Sequence, residues 1–442
     1  MNDLFVQRYG CRKILSRIAA GLFIAAITAA IAGGTSVSAQ TALHRLSQDA
    51  VSSQIGIDYT PEARCSDNNW STATPVACNP QLSFSCSGSQ SLSTCPKTCQ
   101  ACYVNDLGSL KTQLKVPTIT AYQPNYYILT AAHQLNIKVM QGLFNDAIPS
   151  LAAPDSATNC TFAGASIALC GSKYAGAMLD GACGTSTPWN PATFCDGGAY
   201  VEALNFPSGQ QPSPGQFIKN GTIIAIQLGN EPLGTMVNGQ TITVAMISQA
   251  AITLRKALTK RGFKIPIVVS LVLGQEQTVC ANAAPPAGVD FIAAHPYCNF
   301  VASVPPTWPL NGDQCWQQVQ TLFSTISQNF CGATHTFIGE TGYNTGCPSS
   351  PGNSTRLNDE QSFIKDLKSA TCGQVSQSGF PTFLFAYSDV CPASGCAPGC
   401  SGGPLEGNGY FGIFHTLNYQ TMGALVPKFS PVPTLACLVP LK

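Results

Sequence analysis

Charged side chains are scarce in this chain: they make up 10% of its 442 residues, and 22 basic against 21 acidic residues leave a formal net charge of +1. A nucleic-acid or polybasic membrane-surface partner needs a basic face, and this composition offers none. An uncharged, hydroxyl-rich partner fits better. Histidine is rarer still, with 5 residues, and no His/Cys/carboxylate cluster has metal-ligand spacing. No glycine loop of the phosphate-cradling kind follows a strand. Neither a resident metal nor a cofactor is therefore expected. The apolar run Ile18–Gly33 falls short of the ~20 residues of a membrane span, and no internal repeat is visible beyond an alternation of strand-like and helix-like segments.

What is present begins with an export signature. Arg8, Arg12, Lys13 and Arg17 precede the apolar run, and Val37-Ser38-Ala39 supplies the small residues of a cleavage site. Residues 1–39 are expected to be a cleaved signal peptide, the alternative being an uncleaved anchor. Of 21 cysteines only Cys11 precedes the cleavage site, which leaves an even number for disulfides in an oxidising compartment. Sequons at Asn69, Asn159, Asn220 and Asn353 fit a secreted, extracellular or cell-wall glycoprotein. Once the signal is removed no membrane contact is expected, and the chain is expected to be a monomer.

Residues 40–442 read as a single (β/α)8 TIM barrel, an α/β fold with disulfide-rich insertions after strands 1 and 3. Eight strands are predicted: Gln54–Tyr59, Pro117–Tyr122, Ile137–Phe144, Thr222–Leu228, Ile265–Leu273, Val289–His295, the run opening at Thr334, and Phe380–Asp389. Between them lie helical stripes such as Ile247, Ala251, Leu254 and Leu258, with Gly262 at the C-cap position, and Trp316, Val319, Phe323, Ile326 and Phe330. The first insertion, about 62–110, is poor in aliphatic residues and carries Cys65, Cys78, Cys86, Cys95, Cys99 and Cys102, so cross-links must hold it. The second, about 145–207, is rich in Gly and Ala and carries Cys160, Cys170, Cys183 and Cys195. It is expected to be a long loop, and both insertions are placed where they could wall a cleft.

The chemistry concentrates at two strand ends. TIIAIQLGNEP delivers Asn230 and Glu231 where a buried strand breaks at Gly229 and Pro232, and THTFIGETGYN delivers Glu340 after Gly339. They stand 109 residues apart, about three βα units of roughly 30–40 residues, which puts them on strands 4 and 7 across the barrel mouth. Two carboxyl groups so placed are what glycoside hydrolysis needs, one as proton donor and one as nucleophile or base. We expect Glu231 to be the acid/base and Glu340 the nucleophile, with Asn230 beside the sugar. Tyr122, Tyr297, Tyr343 and Tyr387 fall near strand ends, where rings stack on sugars or pack beneath loops. His295 orients a carboxylate, touches sugar, or is an ordinary core histidine.

The two motifs, IQLGNEP and FIGETGYN, resemble glycoside hydrolase family 17, the β-1,3-glucanases and related glucanosyltransferases. GIDY, ITAY with IKVMQGLF, VDFIAAHPY and FLFAYSD extend the resemblance thinly over most of the mature chain. It implies a retaining (β/α)8 enzyme whose partner is β-1,3-glucan, with Glu231 as acid/base, Glu340 as nucleophile, and Asp389 among the residues that meet the sugar. The chain departs from the family where Thr120 replaces an arginine, where Tyr343-Asn344 replaces Trp-Pro, and along Phe385–Val390. Rival readings are a glucanosyltransferase, a hydrolase for another β-glycan, and a non-catalytic glucan-binding protein on the same barrel.

Overall fold

The computed structural model describes residues 55–59, 103–122, 126–162, 165–167, 169–180, 214–280, 284–298, 310–345, 353–372, 378–386, 388–392, 412–416 and 426–437. The expected signal peptide, the cysteines of the first insertion, Cys183, Cys195 and Tyr387 lie outside them. All described residues belong to one compact unit, Leu46–Lys442.

All eight predicted strands form: β1 Ile55–Tyr59, β2 Thr118–Ala121, β3 Lys138–Gly142, β4 Ile223–Gln227, β5 Ile267–Val272, β6 Phe291–His295, β7 Thr336–Ile338 and β8 Thr382–Leu384. They make one sheet in the order β7-β6-β5-β4-β3-β2-β1-β8, with every neighbouring pair that pairs in register running parallel. Its two ends meet just beyond β7. There Thr341 bridges Leu384, donating to the Phe383 carbonyl at 3.2 Å and accepting from the Phe385 N–H at 2.8 Å. The ring is a (β/α)8 barrel. Strands such as IGIDY and FIAAH are buried along their whole length, because helices cover one face and the barrel interior the other. That is why they read as apolar runs instead of alternating ones.

The helices form where the stripes foretold. Val244–Lys260 opens on Thr243, whose side chain accepts from the Met246 N–H, and buries Ile247, Ala251, Leu254 and Leu258. It ends with Gly262 at φ +73°, while the N–H groups of Gly262 and Phe263 return to the carbonyls of Thr259 and Leu258. Gly262 is the glycine stop that satisfies the last carbonyls. Gly312–Ile326 begins with a capping box between Asn311 and Gln314 and runs on through Ser327–Cys331.

Both insertions differ from expectation in their described parts. Residues 103–109 are helical and lead into Leu110–Leu114, with Tyr103, Leu107, Leu110 and Leu114 buried. This stretch is the helix between β1 and β2, not cross-linked loop. In the second insertion, Ala147–Ala152 and Gly171–Asp180 are helices. Both pack against Val244–Lys260. A small hairpin pairs Cys160–Phe162 with Ala165–Ile167, closed by the disulfide Cys160–Cys170. Arg261 fastens the second helix through the Asp180 carboxylate and the Gly176 carbonyl.

Among the described residues three further disulfides join Cys280–Cys331, Cys298–Cys315 and Cys372–Cys437, and no helix is long and apolar enough to cross a membrane. Residues 426–437 run back over the barrel wall. The Leu435 N–H meets the Leu114 carbonyl at 2.7 Å, and Lys428 Nζ lies 3.6 Å from Glu360, both side chains almost fully buried. Lys428→Met leaves that carboxylate in the interior without this cation, which is expected to cost about 3 kcal/mol of stability. Adding Glu360→Leu is expected to recover most of the loss, as measured by urea unfolding of the single and double variants.

Candidate active site

The barrel mouth gathers side chains from the ends of β1, β2, β4, β5, β6 and β7. After β4 the backbone turns sharply, with Gly229 at φ +71° and Glu231 at φ +48°. Several contacts hold this turn. Asn145 accepts from the Asn230 N–H at 2.9 Å and donates to its carbonyl at 3.0 Å. Ser270 on β5 accepts from the Glu231 N–H at 2.8 Å and donates to Asn230 Oδ1 at 3.1 Å. Such a left-handed turn is costly for a side-chain-bearing residue and persists only where its surroundings fix it. A Cβ on Gly229 would lie 2.3 Å from Asn145 Oδ1. Gly229→Ala is therefore expected to lose about 2–4 kcal/mol in denaturant unfolding and to displace Glu231, with activity falling more than stability explains.

Glu340 arrives from the opposite side, just past β7, and is 6% exposed. Its Oε1 accepts from the Tyr122 hydroxyl at 2.5 Å and its Oε2 from the Tyr297 hydroxyl at 3.0 Å. His295, at the end of β6, stands between the carboxylates with Nδ1 at 2.7 Å from Glu231 Oε1 and 3.4 Å from Glu340 Oε2. The Glu231 side chain is 35% exposed, so one carboxyl opens to the mouth and the other lies on its floor. One donor atom from each of Glu231, His295 and Glu340 falls within 4.8 Å of the others.

These three are the described residues able to surround a cation. Two donors on one ion at about 2.1 Å stand roughly 3.0–3.4 Å apart, farther than the 2.7 Å from Nδ1 to Glu231. Both oxygens of Glu340 already accept phenol protons. The geometry is that of a hydrogen-bonded cluster instead of a coordination shell.

Burial pushes the Glu340 carboxyl above its ordinary value, with His295 and the two phenols pulling it down and Glu231 adding to the rise. Burial drives His295 the other way, yet the charges of Glu340, Glu231 and Glu276 outweigh it and hold the imidazole above its usual pKa. Burial also raises Tyr122 and Tyr297 well above a free phenol, helped by neighbouring carboxylates. Both remain donors across the physiological range.

Of the residues expected here, Glu231, Glu340, Asn230, Tyr122, Tyr297 and His295 come together. Tyr343 does not, and that expectation is corrected: it is 1% exposed, with its hydroxyl on the Leu310 carbonyl at 3.0 Å and near Asp359 at 3.3 Å. It is a core residue behind the strand that carries Glu340. Tyr387 lies outside the described residues, as does the side chain of Asp389. Sequence reasoning missed Asp58, fully buried in β1, and Glu276, 1% exposed after β5, whose Oε2 accepts from the Gly274 N–H at 2.7 Å. An acid inside the apolar strand IGIDY was a usable signal; the polar loop GQEQ around Glu276 held none.

No family model matches the chain, and a comparison with curated proteins finds no match. Among solved structures the chain is similar to an endo-laminarinase from Formosa Hel1_33_131, at 13% identity and a TM-score of 0.42, over 82% of this chain and 83% of that one. It is also similar to a β-1,3-glucanase and allergen of Cryptomeria japonica pollen, at 16% identity and a TM-score of 0.41, over 73% of this chain and 95% of that one. A third similar structure is a glycoside hydrolase family 17 β-1,3-glucanosyltransferase from Rhizomucor miehei, at 13% identity and a TM-score of 0.41, over 82% of this chain and 92% of that one.

Proposed function

We propose that this chain is a secreted, retaining glycoside hydrolase that cleaves β-1,3-glucan through a glycosyl-enzyme intermediate. The observation that carries the reading is a pair of glutamates from distant strand ends whose facing oxygens lie within 4.8 Å. Retaining glycosidases hold their carboxyl groups about 5–5.5 Å apart, whereas inverting ones need about 6.5–9.5 Å to admit a water. The choice of glucan rests on the resemblance of the GNE and GETG strand ends to family 17. Export rests on the N-terminal signature and the even cysteine count.

In this reading Glu231 protonates the departing glycosidic oxygen while a Glu340 oxygen attacks the anomeric carbon, so the C–O bond to the leaving sugar breaks as the ester bond forms. Glu231, now ionised, takes a proton from water. That water's oxygen bonds to the anomeric carbon and releases Glu340. Tyr122 and Tyr297 hold the nucleophile's two oxygens, and His295 spans both carboxylates.

Incubation of the purified protein with laminari-oligosaccharides tests this. Shorter products with new reducing ends are expected, and NMR at early times is expected to show the β anomer first. An α anomer would refute Glu340 as nucleophile. Products longer than the starting chain would assign the protein to transfer instead of hydrolysis, and binding without turnover would make it a glucan-binding protein. Activity on mannan but not laminarin would overturn the substrate.

A further inference from the structure

One buried acid at the barrel mouth has no part in that reaction. Asp58 lies on β1 with no exposed surface, in register with Thr120 of β2. Neither of its carboxyl oxygens, nor the Thr120 hydroxyl, makes a hydrogen bond of ordinary length and angle. The ionisable groups that face it are Glu340 beyond β7, Tyr122 beyond β2 and Tyr297 beyond β6. The paired part of β8, Thr382–Leu384, contributes none. Among the described residues no cation figures in the set acting on Asp58.

A buried carboxylate without a cation or firm donors neutralises itself by taking up a proton. Where two carboxyls share such a site, one keeps the charge and the other the proton. Glu340 has two phenol donors and His295 nearby, so the charge belongs there. We propose that Asp58 is a neutral carboxylic acid at neutral pH, a positioning residue that leaves the pair's single negative charge on Glu340 and the Tyr122 proton directed at that oxygen. Burial, followed by the charge of Glu340, acts in this direction, raising the Asp58 pKa well above its ordinary value, with Thr120 and Tyr122 opposing. An ionised Asp58 would compete with Glu340 for the Tyr122 proton. The positioning role rests on Glu340 being the nucleophile; the protonation state does not.

Infrared difference spectroscopy of the whole protein reads that state directly. At neutral pH the wild type is expected to show the carbonyl band of a neutral carboxylic acid, shifting on deuteration and absent in Asp58→Asn. In Glu340→Gln the band is expected to titrate away at lower pH, because the repelling charge is gone. Stability gives an independent reading. Unfolded Asp58 ionises near pH ~3.9 and folded Asp58 only well above it, so the folded state holds the extra proton and wild-type stability falls as pH rises between the two values. Asparagine is neutral throughout, so the advantage of Asp58→Asn over wild type in denaturant midpoint is expected to grow across that window. Asp58→Asn is also expected to keep roughly tenfold more kcat/KM than Asp58→Leu, which replaces a neutral polar group beside Tyr122 and Thr120 with an apolar one. A missing acid band at neutral pH, or a midpoint difference that stays flat with pH, overturns the proposal. The band in a protein that cleaves no β-glucan would support it and remove only the enzymatic reading.

Discussion

Glu340→Gln is expected to reduce kcat/KM on laminari-oligosaccharides by about 10⁴-fold or more, some 5 kcal/mol of barrier. Losing a covalent nucleophile has effects of this size or larger. The amide is nearly the same shape, its oxygen still accepting from one phenol and its NH2 donating to the oxygen of the other in place of Tyr122 and Tyr297 both donating, so the loss is chemical and not one of packing. Stability is expected to move the other way. Burial raises the folded-state pKa of Glu340, so its ionisation opposes folding once pH exceeds the unfolded value of about 4.3. The neutral variant is therefore expected to be at least as stable as the wild type at neutral pH. For the same reason the acid limb of the wild-type kcat/KM profile is expected above the ordinary glutamate range, since the proposed mechanism requires Glu340 to be ionised. Initial rates across pH and thermal melts of both proteins check the pair of effects, and an inactive variant that has also lost its fold would say nothing for the nucleophile.

Glu231→Gln is expected to cost about 10²–10⁴-fold on glucan, the usual contribution of a positioned acid or base, and far less in the first step on an activated aryl glycoside. An aryl leaving group departs without a proton, so only release of the glycosyl-enzyme then needs Glu231. A burst of aryl alcohol followed by a slow steady rate is expected. Equal losses on both substrates would remove Glu231 from the acid/base role. The His295 imidazole is expected to titrate at lower pH in this variant, because the Glu231 charge is among those that raise it; the NMR shift of its ring protons reports that change.

The eight strands were legible because strands covered on both faces leave long apolar runs, and the two glutamates because glycine and proline break those runs. Finer placement follows the strand's two-residue period, since successive side chains point to opposite faces. His295 and Tyr297 are two apart and both reach the site. Thr120 and Tyr122 are also two apart, and Asp58 is in register with Thr120, which places Asp58 on the same inner set. Tyr343 is three beyond Glu340, an odd step, and it turns into the core behind the strand. Applied to the sequence, that parity would have rejected Tyr343; admitting Asp58 also needs the pairing register of β1 with β2. The helices of the second insertion were hidden by their composition: GSKYAGAMLD buries Tyr174, Ala175, Met178 and Leu179, but its small residues read as loop. Asn145, Ser270 and Gln227, whose side-chain amide donates to the Ser270 hydroxyl at 3.3 Å, could not be found this way, because their contacts depend on neighbours brought in by other strands.

The first strand of the ring pairs with the last, with Ile55 opposite Thr382. During synthesis at about 5–20 residues per second, the first strand waits roughly 15–65 seconds for that neighbour to be made. Throughout that interval one flank of an apolar ribbon has no partner, an invitation to pair with another nascent chain. A chaperone that shields the open flank is expected to raise the yield of folded protein, and circular permutants that make the two strands consecutive are expected to need it less.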